Sequence, residues 1–250
     1  VSSLCNGGRR PPSFANKLIP VFELRRHPIE SATIEIVIVD DQPILRRGIA
    51  LLISEDPKLH VAGEASNSDE ASAIIEQTKP DVVVTELIPG FAWYEFIAKV
   101  VEIDRPRVVV FSHADEMIYG PRTLRQGARG YVLKTESPET LIRAIHLAAS
   151  GEVAVSDRLA SRLMKEVVLG QPYNESSSVE RLTNRQLEVF ELIGQSWNTR
   201  EIAERLTLSI KTVNVYRARI KDKLKLDTST KLSQLAVEWV ERQNRARTSS

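Results

Sequence analysis

The chain is poor in the residues that staple or metallate small folds. Cys5 is its only cysteine, so no internal disulfide can form and a reducing compartment fits. The four histidines, His27, His60, His113 and His146, are scattered, and with one cysteine they do not make a structural zinc site. No apolar run approaches the roughly 20 residues that a membrane helix needs. Arg9 and Arg10 precede a stretch broken by Lys17, Pro20 and Glu23, which is no signal-peptide core. No nucleophile sits beside a base in any motif, so an enzyme is not expected. These absences leave a cytoplasmic, globular protein with no membrane partner.

What is present is divided by charge. The net charge of +1 conceals an acidic front and a basic back. Residues 34–155 hold 12 Lys/Arg and 19 Asp/Glu, a net of −7, whereas residues 179–250 hold 14 and 9, a net of +5. The pattern suits a metal- or phosphate-handling part joined to one that meets a polyanion. Two solvated surfaces of opposite sign would look the same by charge alone.

The hydrophobic pattern changes along the same division. Residues 1–33 carry Gly7-Gly8, Pro11-Pro12, Pro20 and Pro28 without periodicity and read as a disordered extension. From Ile34 onward, five apolar runs, "IEIVIVDD", "HVAGEAS", "DVVVTE", "RVVVFS" and "GYVLK", alternate with helical stretches at 43–55, 68–78, 91–103, 115–126 and 138–149. That alternation predicts a doubly wound parallel sheet of five strands, covered on both faces. Residues 156–169 predict an amphipathic helix, and "GQPYNESSS" after it a polar linker. Residues 181–245 read as four helices. Thr183 and Gln186 form a capping box at the first, and a short second helix turns into the basic third helix, "IKTVNVYRARIKDKLKL". The expected division is an extension (1–33), an α/β domain (34–153), a linker with one helix (154–178) and an all-α helix-turn-helix domain (179–250).

In an open parallel sheet, ligands sit beyond the carboxyl ends of the strands. The residues expected there are Asp40, Asp41, Glu86, Ser112 and Lys134. Three acids repel one another and call for a hard cation such as Mg²⁺, while a hydroxyl and a lysine suit phosphoryl oxygens. "VDD", the acid after the third strand, "VVFSHAD" and "GARGYVLK" together resemble the receiver domain of two-component response regulators, over nearly all of residues 34–150. The resemblance implies a flavodoxin-like fold, Mg²⁺ held by Asp40 and Asp41, switch roles for Ser112 and Tyr131, and pairing of Lys134 with phosphoryl oxygens; whether a sensor kinase is a partner is left open by the sequence. Counted forward from Pro80, Glu86 occupies the phosphoacceptor position, where the family has aspartate. Its carboxylate lies one methylene farther out, and a misplacement near 1 Å can cost on the order of 100-fold in rate. Counted backward from Pro89, Thr85 would hold that position. The resemblance also implies a metal ligand in the backbone carbonyl near Ile88. Three readings stay open: Glu86 imitates the phosphorylated state, the site is silent, or Glu86 is phosphorylated slowly. Asp40, Asp41 and Lys134 would serve equally as an ion-pair network, and Tyr131 as plain strand packing.

On the third helix of the basic domain, Val213, Tyr216, Ile220 and Leu224 share an inward face. The outer set is Lys211, Thr212, Asn214, Val215, Arg217, Ala218, Arg219 and Lys221. Asn214 suits an adenine edge, Val215 a thymine methyl, and the cations suit phosphates of double-stranded DNA. "LTNRQLEVFELI" and "REIAERLTLSIKTVNVYRARIKDKL" resemble the DNA-binding domain of the LuxR/NarL/FixJ regulators over residues 181–245. Gln186, Ser196 and Tyr216 depart from the usual glutamate, glycine and histidine. The resemblance implies a homodimer contact through residues 229–244, although Trp239 suits the domain's own core equally. The expectation is a DNA-binding transcription regulator whose receiver works without phosphorylation or imitates it. Its rivals are a phosphorelay or adaptor protein acting through the receiver surface and a small-molecule sensor of the LuxR type.

Overall fold

The computed structural model describes residues 33–87, 93–103, 106–169 and 178–248, with only the backbone for 169, 178 and 245–248. The extension expected over residues 1–33 lies outside the described residues except for Thr33, as do Ile88 and the Ser-rich part of the linker.

Five short, valine- and isoleucine-rich strands form the front of the chain: β1 (Ile34–Val39), β2 (Leu59–Ala65), β3 (Val82–Thr85), β4 (Arg107–Ser112) and β5 (Gly130–Leu133). They pair in parallel in the order β2-β1-β3-β4-β5. Parallel strands need crossovers, and helices supply them: α1 (Pro43–Ser54), α2 (Ser68–Thr78), α3 (Trp93–Glu102), α4 (Glu116–Arg125) and, after β5, α5 (Pro138–Ala149). The helix starts carry local signals. Pro43 and Pro138 stand at first helical positions, and the Asn67 side chain accepts the Asp69 and Glu70 N–H groups.

Strand side chains alternate between faces, and two layers of core result. Ile36, Ile38, Val82, Val84, Val109 and Val132 pack with Ile49 and Ile53 of α1 and Leu141 and Ile145 of α5. Val37, Val39, Val83, Val108, Val110 and Tyr131 pack with Ile75, Phe96, Ile97 and Ile118 of α2, α3 and α4. The second layer runs on through Trp93, Tyr94 and Tyr119 into the core of the C-terminal helices.

The expected linker is partly structure. Ala154 forms a parallel bridge with Gly130, taking the Tyr131 N–H on its carbonyl at 2.9 Å and donating to Arg129 O at 2.8 Å, so it covers the open edge of β5. Helix α6 (Asp157–Leu169) then packs on α4. Gly120 makes that approach possible, because a Cβ there would collide with the Leu159 side chain. After a short 3₁₀ turn (Ser178–Arg181) come α7 (Asn184–Gly194), α8 (Thr199–Arg205), α9 (Ile210–Leu224) and α10 (Ser229–Thr248). Gly194 lets α7 and α10 touch, since a Cβ there would meet the Ala236 carbonyl.

Candidate functional site

The parallel register brings the ends of β1, β3, β4 and β5 to one edge. Glu86 N–H donates to Val39 O at 2.9 Å, and Lys134 N–H to Ser112 O at 2.9 Å. These backbone bonds aim the Lys134 side chain, only 2% exposed, between two carboxylates. Its Nζ lies 2.6 Å from Asp40 Oδ2 and 2.5 Å from Glu86 Oε2. Burying such a group is costly unless every partner is satisfied, and here each remaining oxygen has a donor. Asp40 Oδ1 accepts the Gln42 N–H at 2.8 Å, and Glu86 Oε1 accepts the Leu87 N–H at 2.7 Å. Phe111 adds a ring face 5.8 Å from Lys134 Nζ.

Glu86, and not Thr85, faces Lys134. The Thr85 hydroxyl donates to the Glu86 carbonyl at 3.1 Å. Asp41 is not drawn in and stands exposed. Ser112 is fully buried and its hydroxyl accepts the Ala114 N–H at 3.1 Å. Tyr131, 1% exposed, donates its hydroxyl to Ala114 O at 2.7 Å. Burial first, and then the nearby charge of Glu86, holds that phenol well above the ordinary tyrosine range.

Receiver domains commonly hold Mg²⁺ at this edge, but the residues here fit the ion poorly. Among the described residues no three acidic, histidine or cysteine side chains converge on one point. Both oxygens of Asp40 and of Glu86 are already engaged by the lysine and by backbone donors.

Sequence reasoning did not find the joint between the two halves. Tyr119 of α4 hydrogen-bonds Glu191 of α7 through its hydroxyl, and burial followed by the charge of Glu191 keeps that phenol protonated. Arg122 donates to Asn184 Oδ1 at 3.0 Å and to Glu180 O at 2.7 Å. Arg185 of α7 sits 2.7 Å from Glu188 and 3.6 Å from Glu95 of α3. Burial lifts the Glu188 carboxyl to about 7, against the pull of Arg185. Each of these residues belongs to an ordinary helical pattern, so no local signal marks it.

The back half is built from capped helices. Thr183 with Gln186 and Asn198 with Glu201 both form complete capping boxes, and Ser209 caps α9 through the Thr212 N–H at 3.0 Å. Val213 and Ile220 are fully buried, Leu224 is 8% exposed and Tyr216 is half-buried, so the inward face is as expected. Lys211, Asn214, Val215, Ala218 and Arg219 are exposed. Thr212, Arg217 and Lys221 are half-buried at its flanks, the Thr212 hydroxyl meets that of Ser209 at 2.7 Å, and burial lowers the Arg217 pKa. Helix α9 packs against α7, α8, α10 and the 3₁₀ turn. Among the described residues, none of Lys211, Arg217, Arg219 and Lys221 is in an ion pair. Trp239 is 6% exposed and meets Phe190 edge-on at 6.3 Å, which makes it part of the core.

Comparison with known proteins agrees with this architecture. Residues 36–146 match the response regulator receiver domain, and residues 180–236 match the bacterial regulatory proteins of the luxR family. The nitrate/nitrite response regulator protein NarL of Escherichia coli (strain K12) is 35% identical over 216 residues, covering 84% of this chain and 95% of that protein. The oxygen regulatory protein NreC of Staphylococcus carnosus is 31% identical, covering 81% and 96%. RcsB of Salmonella enterica serovar Typhimurium, solved on a promoter with a phosphomimetic, shares the fold with a TM-score of 0.62 at 22% identity, covering 82% and 98%. No helix among the described residues is long and apolar enough to cross a membrane. The chain therefore belongs to the NarL/FixJ family of two-component response regulators, DNA-binding transcription regulators with a receiver domain ahead of a luxR-type helix-turn-helix domain.

Proposed function

We propose that this regulator binds duplex DNA as a homodimer through α9 and that its receiver works without a phosphoryl group. One observation carries the second part: the Glu86 carboxylate rests on Lys134, the cation that would otherwise meet phosphoryl oxygens. Glu86 is thus a fixed charge in the place of a transient one. Its oxygens are held by Lys134 and by the Leu87 N–H, so neither is presented to a phosphodonor. Asp40 is held the same way, and Asp40 and Asp41 recruit Mg²⁺ weakly. Ser112 and Tyr131 keep one buried arrangement and do not alternate. A sensor kinase is not required.

On DNA, Lys211, Arg217, Arg219 and Lys221 meet phosphates and set the register. Asn214 reads an adenine edge, and Val215 reaches a thymine methyl. Ala218 lets the backbone approach, and Thr212 holds the start of the helix. Two modules on two half-sites raise affinity through effective concentration. One of the solved RcsB structures, at 22% identity, is described as two dimers bound to two parallel DNAs, which supports this mode. The adaptor reading has less behind it, because the outer face of α9 is open and its cations are in no ion pair among the described residues. A DNA partner places the protein in the cytoplasm.

The test has two parts. After incubation with Mg²⁺ and acetyl phosphate, intact mass should not change, and a gain of one phosphoryl group overturns the fixed-charge reading. Retardation of promoter fragments should be sequence-selective, with Glu86→Ala binding more weakly than the parent. Equal binding by Glu86→Ala shows that the charge at Glu86 carries no signal.

A further inference from the structure

Two short links run from the Glu86 edge to a cleft that it shares with the DNA-binding half. Glu86 Oε1 accepts the Leu87 N–H at 2.7 Å while Oε2 holds Lys134, so one carboxylate fixes both the lysine and the start of the next loop. The Leu87 side chain, 5% exposed, lines a cleft shared with Trp93 and Tyr119 of the receiver and with Trp239 and Val240 of α10. The loop after β4 repeats the device. Ser112 Oγ takes the Ala114 N–H, Tyr131 donates its hydroxyl to the Ala114 carbonyl, and Ala114, 7% exposed, lines the same cleft.

We propose that α10 reads the Glu86 edge across this cleft, through Leu87 and Ala114, which makes Glu86 and Tyr131 positioning residues for the contact between receiver and DNA-binding domain. The inference deepens the reading of Glu86 as a fixed charge and rests on it. Glutamate suits both tasks: its longer stem lets one oxygen reach Lys134 while the other caps Leu87. Aspartate, one methylene shorter, serves one of them at the expense of the other.

The seat is held firmly at one end and loosely at the other. Tyr119 to Glu191 and Arg122 to Asn184 tie α4 to α7. Beneath α10 a cavity of about 40 Å³ remains, and the buried Trp239 Nε1 has no acceptor among the described residues. A small loss of seating at Leu87 therefore tips the contact towards opening.

The experiment is a distance measurement on the full chain, free of DNA and phosphodonor. Spin labels are placed at the exposed helix positions Glu76→Cys and Asp222→Cys in a Cys5→Ser background. The parent should give one distance. Glu86→Asp and Leu87→Ala should each add a longer-distance population, whereas Leu87→Met, which keeps the volume, should not. Because the effect passes through Leu87, Glu86→Asp combined with Leu87→Ala should match Leu87→Ala alone. Additive effects, or a Glu86→Asp distance equal to the parent's, overturn the proposal. Thermal unfolding run alongside shows that each variant is folded. The mass and retardation tests above fail or succeed independently, so failure of this linkage is separable from failure of the fixed-charge reading.

Discussion

The acid–lysine edge and the outer face of α9 are both built from charged residues, and they treat charge in opposite ways. At the edge, Asp40 is 1% exposed and Glu86 7%, and their oxygens are matched by Lys134 and backbone donors. On α9, Lys211 and Arg219 stand in water with no ion-pair partner among the described residues. A charge removed from water must be neutralised within the fold, and it then holds structure in place. A charge left in water costs the fold little and is free for a polyanion. The proposal above rests on this contrast, with the edge serving internal positioning and α9 an external partner.

The sharpest way to break this comparison is to unbalance the edge. Lys134→Met leaves two buried carboxylates without their cation and should lower stability by about 3–5 kcal/mol, read from the urea midpoint. A loss below about 1 kcal/mol, typical of an exposed pair, would show that the edge is not a buried network. The Glu188 carboxyl gives the next largest effect. Its folded pKa is about 7, raised from 4.5, so the unfolded chain gives up this proton first. Its contribution to stability should be full at and below pH 4.5, fall as pH rises between 4.5 and 7, and level off above that, a total of about 3 kcal/mol from this group. Glu188→Gln should flatten that part of the profile in thermal melts across pH, and an unchanged slope would remove Glu188 as its source.

On the α9 side, Asn214→Ala should cost about 1–3 kcal/mol of discrimination between operator and scrambled duplex. Lys211→Ala should instead weaken both duplexes alike and reduce the salt slope by about one. Fluorescence anisotropy at several salt concentrations separates the two behaviours. The smallest effect tests a local departure away from either region. Ser196 sits at φ 67, in left-handed backbone where a side chain is strained. Ser196→Gly should stabilise the chain by about 0.5–1 kcal/mol without altering DNA affinity, measured by melting and anisotropy together.

Much of this architecture was legible in local patterns. The runs ending in Val39, Thr85 and Ser112 announced buried parallel strands, because every other side chain meets a core on each face. Thr183 with Gln186 announced a helix start, because the capping box closes within four residues. The spacing of Val213, Ile220 and Leu224 identified the buried side of α9, and its opposite side followed. The site residues were legible as a set at strand ends, but their partnerships were not. Asp41 read as a ligand beside Asp40 and stands exposed.

The amino-acid sequence by itself determined the order of elements, the faces of the helices and the division of charge between the halves, since each depends on neighbours a few positions apart. Only the tertiary structure decided that Lys134 lies between Asp40 and Glu86, that Thr85 turns away, and that Tyr119 meets Glu191. Those pairings join residues 48 to 94 positions apart. Strand register and helix docking bring them together, and no short-range period encodes either.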